Sequence, residues 1–193
     1  MSTFISNYLS SIHKQFEFYK VLGDGALGQL TEAELFWQPD AKSNSIAMIA
    51  KHLHGNMLSR WTNFLEADGE KEWRNRDAEF DNDLVDREDI LAKWEAGWTC
   101  VFEAIDSVNE DNFDQLVYIR NMGHTITEAI NRQMTHYAYH VGQIVFLAKL
   151  KKGKNWETLS IAKGQSQNYN VDKFAQEKRR AHFTEEFLPK KND

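Results

Sequence analysis

Between Pro39 and Pro189 this chain contains no proline. Proline removes a backbone donor and clashes with the preceding helical turn, so its absence leaves helices free to run long. The apolar residues use that freedom. Phe4, Ile5, Tyr8, Leu9, Ile12, Phe16 and Tyr19 recur every three or four positions, the period of a helix with one buried face. This spacing predicts a first helix over residues 3–22, closed by Gly23, Gly25 and Gly28. A connection follows in which TEAELF reads as a short helix and Pro39 marks the end.

A second helix is predicted from Asn44 or Ser45 to Leu65, ahead of the turn signal Asp68-Gly69. Only Lys51 and Arg60 carry charge in it, so protein should surround most of its sides. The run EKEWRNRDAEFDND reads as a long charged loop. A third helix begins after Asp86, which serves as a cap with acids in the first turn, and Ile90, Trp94, Trp98, Val101 and Ile105 set its apolar face. The fourth starts at Thr125, where Thr-Ile-Thr-Glu128 fits a capping box, and runs to about Leu150. LVYI ahead of it reads as a short extended piece. Past Gly153 the chain reads as an ordered excursion, a weakly amphipathic helix over 172–187, and a frayed PKKND end. The expected fold is all-α, a four-helix bundle with long connections. One domain spans 1–193, with its core in 1–152 and a C-terminal extension over 153–193.

Charge narrows the function. With 23 Lys and Arg against 29 Asp and Glu, the formal net charge is −6, and no basic field covers the chain for nucleic acid. The first residues lack the charged and apolar regions of a signal peptide, and no apolar run approaches the roughly 20 residues that span a bilayer. Cys100 is the single cysteine and has no internal disulfide partner. A cytoplasmic protein acting on a small molecule, with neither nucleic acid nor membrane as partner, is expected.

The chemistry gathers in QMTHYAYHVGQ, residues 133–143. Positions four apart on a helix differ by about 40° around its axis, so His136 and His140 point the same way. Gln133 and Gln143 share their stripe, and Ala129 and Leu147 flank it, so the polar patch sits on core-facing surface. On the second helix Ser45, His52, Asn56, Ser59 and Asn63 form a matching narrow arc, bordered by Ile49 and Leu53. His54 lies about 200° round from His52 and cannot aim at the same point. Three imidazoles from two facing helices make a site for a divalent ion with a position open to water or substrate; Gln133, Gln143, Asn56 or backbone groups would hold the outward N–H groups. The plainer alternative is a pair of buried histidines satisfied by the glutamines.

KHLHGNMLSRW, DGEKEWRNRD and HYAYHVGQI, taken in this order, resemble the DinB/YfiT-like superfamily, and more closely an uncharacterised bacterial branch carrying KHLxGN…SRW and HxxxHVGQI. The resemblance runs from the first helix to about Asn170. It implies a four-helix bundle, a divalent metal held by His52, His136 and His140, and a homodimer. It also implies an enzyme: an S-transferase or isomerase using a low-molecular-weight thiol of the bacillithiol type, or a metal-dependent hydrolase. Three imidazoles suit Zn, Ni, Fe or Mn. Neither histidine stripe offers a carboxylate as general base, Glu128 lying about 80° away, which favours thiol transfer over hydrolysis. Asn56 and Arg60 are candidate substrate or thiol contacts. Arg60 and the Arg74/Arg76 pair are candidates to receive a substrate or thiol carboxylate, though Arg74 and Arg76 read more plainly as surface residues paired with Asp77, Glu79 and Asp81; Cys100, between Trp98 and Phe102, reads as a small buried hydrophobe. Two non-enzymatic readings remain: a stress-related bundle that only binds metal or ligand, and an interaction protein with satisfied core histidines.

Overall fold

The structure, a computed structural model, describes residues 3–188. Four long helices enclose its core: α1 (Phe4–Gly28), α3 (Ile46–Trp61), α4 (Arg87–Asp106) and α5 (Ile126–Lys152). α2 (Glu32–Leu35) lies in the first connection and α6 (Ser166–Phe174) in the C-terminal segment. Two short antiparallel strands, β1 (Leu116–Ile119) and β2 (Met122–Thr125), precede α5. The all-α expectation holds apart from this hairpin. No described helix is long and apolar enough to cross a membrane.

The helices begin where hydroxyl and carboxylate caps stand in the sequence. Ser45 accepts from the Met48 N–H, Asp86 from the Asp89 N–H, and Thr125 and Glu128 satisfy each other's backbone donors in a full capping box. α3 packs along α4, and α1 along α5, with α3 also touching α5.

Several boundaries differ from the sequence reading. α1 does not stop at Leu22 but runs through Gly23 and Gly25 and ends at Gly28. Gly23 is an approach point: a methyl group there would overlap the buried Trp94 indole. α3 ends at Trp61 rather than Leu65, because Thr62 turns extended and Asn63 takes a φ of 50°. The single helix predicted over 172–187 is instead α6 followed by a 3-10 turn, Phe183–Glu186. Phe18 on α1 meets the rings of Phe183 and Phe187 at 5.7 and 5.4 Å, so tertiary ring contacts override the weak helical pattern. The PKKND end lies outside the described residues.

The extended piece expected at LVYI is half of the hairpin, in register from Leu116 opposite Thr125 to Ile119 opposite Met122. Arg120 and Asn121 form its turn with φ of 55° and 59°, the left-handed pair that suits a two-residue hairpin. Arginine gains nothing intrinsically from that conformation. Asp68 supports it by accepting both backbone N–H groups at 2.8 Å.

At the centre Phe16, Trp61, Trp98 and Tyr137 pack ring against ring, with centroids 5.7 to 6.2 Å apart. One polar chain runs through them. The Trp61 indole N–H donates to the Tyr137 hydroxyl at 2.7 Å, and that hydroxyl donates to Asn56 Oδ1 at 3.2 Å. Tyr137→Phe would strand a buried donor and a buried acceptor while keeping the ring. Its unfolding free energy in urea should drop by about 1–3 kcal/mol; an unchanged midpoint would show that the chain is not load-carrying.

Candidate metal centre

α3 and α5 bring three imidazoles to one point. His52, His136 and His140 each offer a ring nitrogen, and these nitrogens all lie within 4.8 Å of one another. The structure therefore unites the three residues that the helical stripes selected. His54 stands apart from this group, as its position around α3 requires.

Each ring is oriented differently. His52 Nδ1–H donates to Glu79 Oε2 at 2.8 Å, which turns Nε2 toward the cluster. Phe80 stacks on the same ring, 4.8 Å between centroids with planes 25° apart. Both partners come from one 3-10 turn, Asp77–Phe80, so this short element fixes His52 by an edge contact and a face contact. His140 Nδ1–H donates to Gln143 Oε1 at 2.9 Å, which leaves its Nε2 as the free lone pair. His136 Nε2 lies 3.3 Å from His52 Nε2, whereas its buried Nδ1 has no partner among the described residues. Gln133 Oε1, one turn earlier, is likewise buried and unpartnered. An acceptor and a ring nitrogen left over on one stripe of α5 are the pair that would join once Nε2 were committed to an ion.

The donor set fits a divalent ion. Two nitrogens bound tetrahedrally at about 2.0–2.1 Å stand about 3.3 Å apart, which is the His52–His136 separation. Protonation is also suitable. Burial, with the neighbouring His140 and His52 adding to it, pushes His136 down to about 3; burial and then His52 push His140 down to about 4. Both rings keep their lone pairs at neutral pH.

Behind the histidines is a carboxylate the sequence reading missed. Glu79 is buried, and burial alone would oppose its ionisation, yet hydrogen bonds from His52 and Arg74 outweigh that and hold it below the usual carboxylate range. Arg74 grips it with Nε on Oε1 at 2.7 Å and Nη2 on Oε2 at 3.0 Å. The Arg74 side chain is only 2% exposed, so the surface reading fails for it, and the cause is this buried partner. Arg76, half exposed and 4.0 Å from Asp77, does fit that reading. Gly55, inside the KHLHGN run, explains how Glu79 comes so close: a Cβ there would overlap the Glu79 carboxylate. That glycine, directly after His54 and one position before Asn56, was the available signal.

A cleft of about 630 Å³ opens onto the imidazoles. Asn56 and Arg60 both line it, but from buried positions. Asn56 is taken up by Tyr137, and Arg60 by Glu70 and the Gly69 carbonyl. Cys100 lies elsewhere, beside Thr62, with its thiol pushed up by burial, and is no nucleophile for this site.

Residues 3–165 match the model of a family described as a protein of unknown function, DUF1572, and that span contains the three histidines and Glu79. No curated protein and no solved structure matches the chain.

The depressed histidine pKa values set an acid limit on the metal-free protein. Unfolded histidine titrates near 6.5, so on acidification the unfolded chain takes up protons before the folded one does. The contribution is complete above about pH 6.5 and is lost as pH falls toward 4. The urea midpoint should therefore be lower at pH 5 than at pH 7. A His136→Gln/His140→Gln variant should show a smaller drop, and an equal drop would assign the effect to other groups.

Proposed function

The chain belongs to the DUF1572 family, and we propose that it is a divalent-metal-dependent enzyme of the DinB/YfiT-like type, working as a low-molecular-weight-thiol S-transferase. The observation that carries this reading is the convergence of His52, His136 and His140, with Nε2 atoms of two of them at the spacing of ligands on one ion.

When bound, a divalent ion supplies Lewis acidity, which deprotonates a coordinated thiol outright and lowers the pKa of a coordinated water to roughly 7. The protein's own residues do the rest. Glu79 keeps His52 in the tautomer with Nε2 free and adds negative charge behind it, raising its donor strength. Gln143 does the same, without charge, for His140. Asn56 and Arg60 form the cleft wall against which we place the thiol or substrate.

Thiol transfer is favoured over hydrolysis by what the cleft omits. Among the described residues that line it none is acidic, and Glu79 is committed to His52 and Arg74. Hydrolysis would need a base for the two protons of the attacking water; a thiol has one proton, acidic enough to pass to solvent if an ion were held by the three histidines. We also infer one domain over 1–193; in the C-terminal extension Phe183 and Phe187 lie against Phe18 of α1. A cytoplasmic homodimer completes the proposal; Tyr139, Phe146 and Leu150 leave exposed apolar surface on α5 for a second copy to cover.

Purified without chelator, the protein should carry one divalent ion per chain by elemental analysis, and His136→Ala/His140→Ala should carry none. Metal retained at full stoichiometry in that variant would remove the site assignment. Glu79→Gln should weaken metal affinity about 10–100-fold, read by competition with a chromogenic chelator. Metal-loaded protein should show saturable turnover of a thiol with an electrophile and lose it on chelation. Bound metal with no turnover across a thiol panel would leave a metal-binding bundle in place of an enzyme.

A further inference from the structure

The cleft beside the imidazoles is lined by five arginines: Arg60, Arg74, Arg76, Arg120 and Arg132. In a chain of net charge −6 this is a local reversal of sign. The carboxylates at hand do not balance it. One oxygen of Glu70 serves three guanidinium groups, lying 3.1 Å from Arg60, 3.4 Å from Arg74 and 3.1 Å from Arg120. Glu79 is spent on Arg74 and His52. Arg76 lies over the Phe80 ring at 5.3 Å, and its carboxylate among the described residues is Asp77 at 4.0 Å, a side chain itself 99% exposed. Arg132 meets His124 Nε2 at 3.1 Å, a partner without a negative charge to offer. Arg60 is 6% exposed and still has an unpartnered Nε.

The hairpin presents one of these residues and braces another. Arg120 sits in its turn at a φ of 55°, a conformation held by Asp68. His124 on β2 steadies Arg132 on the first part of α5. Arg120 shares its one carboxylate, Glu70, with Arg60 and Arg74, and among the described residues Arg132 is given none. Backbone strain persists only where surrounding contacts enforce it, and it concentrates at binding sites.

We propose that the cleft takes a small molecule bearing a carboxylate or phosphate group, received by Arg120 and Arg132 while the rest of the molecule extends toward His52, His136 and His140. Guanidinium groups match these oxyanions with paired N–H donors, and the surplus of positive charge at this cleft is what such a group would neutralise. The inference rests on the cleft being the active site. It adds the class of substrate and assigns the hairpin its role: holding the charged end at a fixed distance from the ion site.

The full-length, metal-loaded protein would be titrated separately with inorganic phosphate and with succinate, following heat of binding and the shift in melting temperature. Saturable binding of either anion is expected, weakening as salt rises. Arg120→Gln/Arg132→Gln should weaken it at least tenfold with metal content unchanged. Arg132→Gln alone, whose side chain holds only His124, should weaken it severalfold if the double variant does not fold. Absence of binding by both anions, or affinity unchanged in the arginine variants, would overturn the proposal. Anion affinity that the arginine variants keep and His136→Ala/His140→Ala loses would place the anion on the metal, which also overturns it. A wild-type protein without metal would count against the metal site alone, because the arginine variants can be compared in metal-free protein too.

Discussion

A buried carboxylate must be paired, and the pairing of Glu79 organises this protein. Removing an ionised carboxyl from water costs several kcal/mol, which only close opposite charge and full hydrogen bonding can offset. Glu79 meets that requirement with Arg74 on one side and His52 on the other. Each partner is thereby fixed in place. His52 cannot rotate away from the cluster without stranding the carboxylate, and Arg74 cannot leave for solvent. The orientation of one imidazole is thus tied to the ion balance of a loop more than twenty residues away in sequence.

That loop connects the site to the hairpin. Arg74 also touches Glu70; Glu70 holds Arg60 and Arg120; Asp68, two positions earlier, carries the hairpin turn. Ser59 on α3 and the Tyr118 carbonyl on β1 bind the two sides of Gly69 between them. Residues 68–79 therefore act as a clamp across α3 and the hairpin. Charge networks of this kind are weakly stabilising when exposed, but this one is mostly buried, so loss of a single member would leave an uncompensated charge.

How much of this was legible in sequence depended on whether the signal was local. The helices were legible: capping residues and apolar periodicity are properties of neighbouring positions, and Ser45, Asp86 and Thr125 start their helices where they stand. The convergence of His52 with His136 and His140 was legible because angular position on a helix follows from spacing alone. Of the hairpin only the LVYI strand was, since its turn uses Arg-Asn where Asn-Gly is the usual signal, and its support comes from Asp68 in another segment. Glu79 was hidden among charges that looked solvated. Its burial is decided by Arg74 and by the missing side chain at Gly55, and neither can be read from a charge pattern. Gly23 misled for a related reason: it answers to the Trp94 indole rather than to a helix end, which comes at Gly28.

α5 shows why the site and the core cannot be varied independently. Tyr137 is adjacent in sequence to His136, so the two side chains leave the helix about 100° apart. One anchors the aromatic core and the Trp61–Asn56 hydrogen-bond chain; the other meets His52. Asn56 lies one helical turn beyond His52 on α3 and closes the same circuit from the opposite side. A shift of α5 against α3 large enough to separate the imidazoles would also break the Tyr137–Asn56 hydrogen bond inside the core. Hydrophobic packing is insensitive to direction, whereas that hydrogen bond weakens steeply with distance and angle. The buried polar chain therefore gives the two helices the registry that three imidazoles need in order to share one ion.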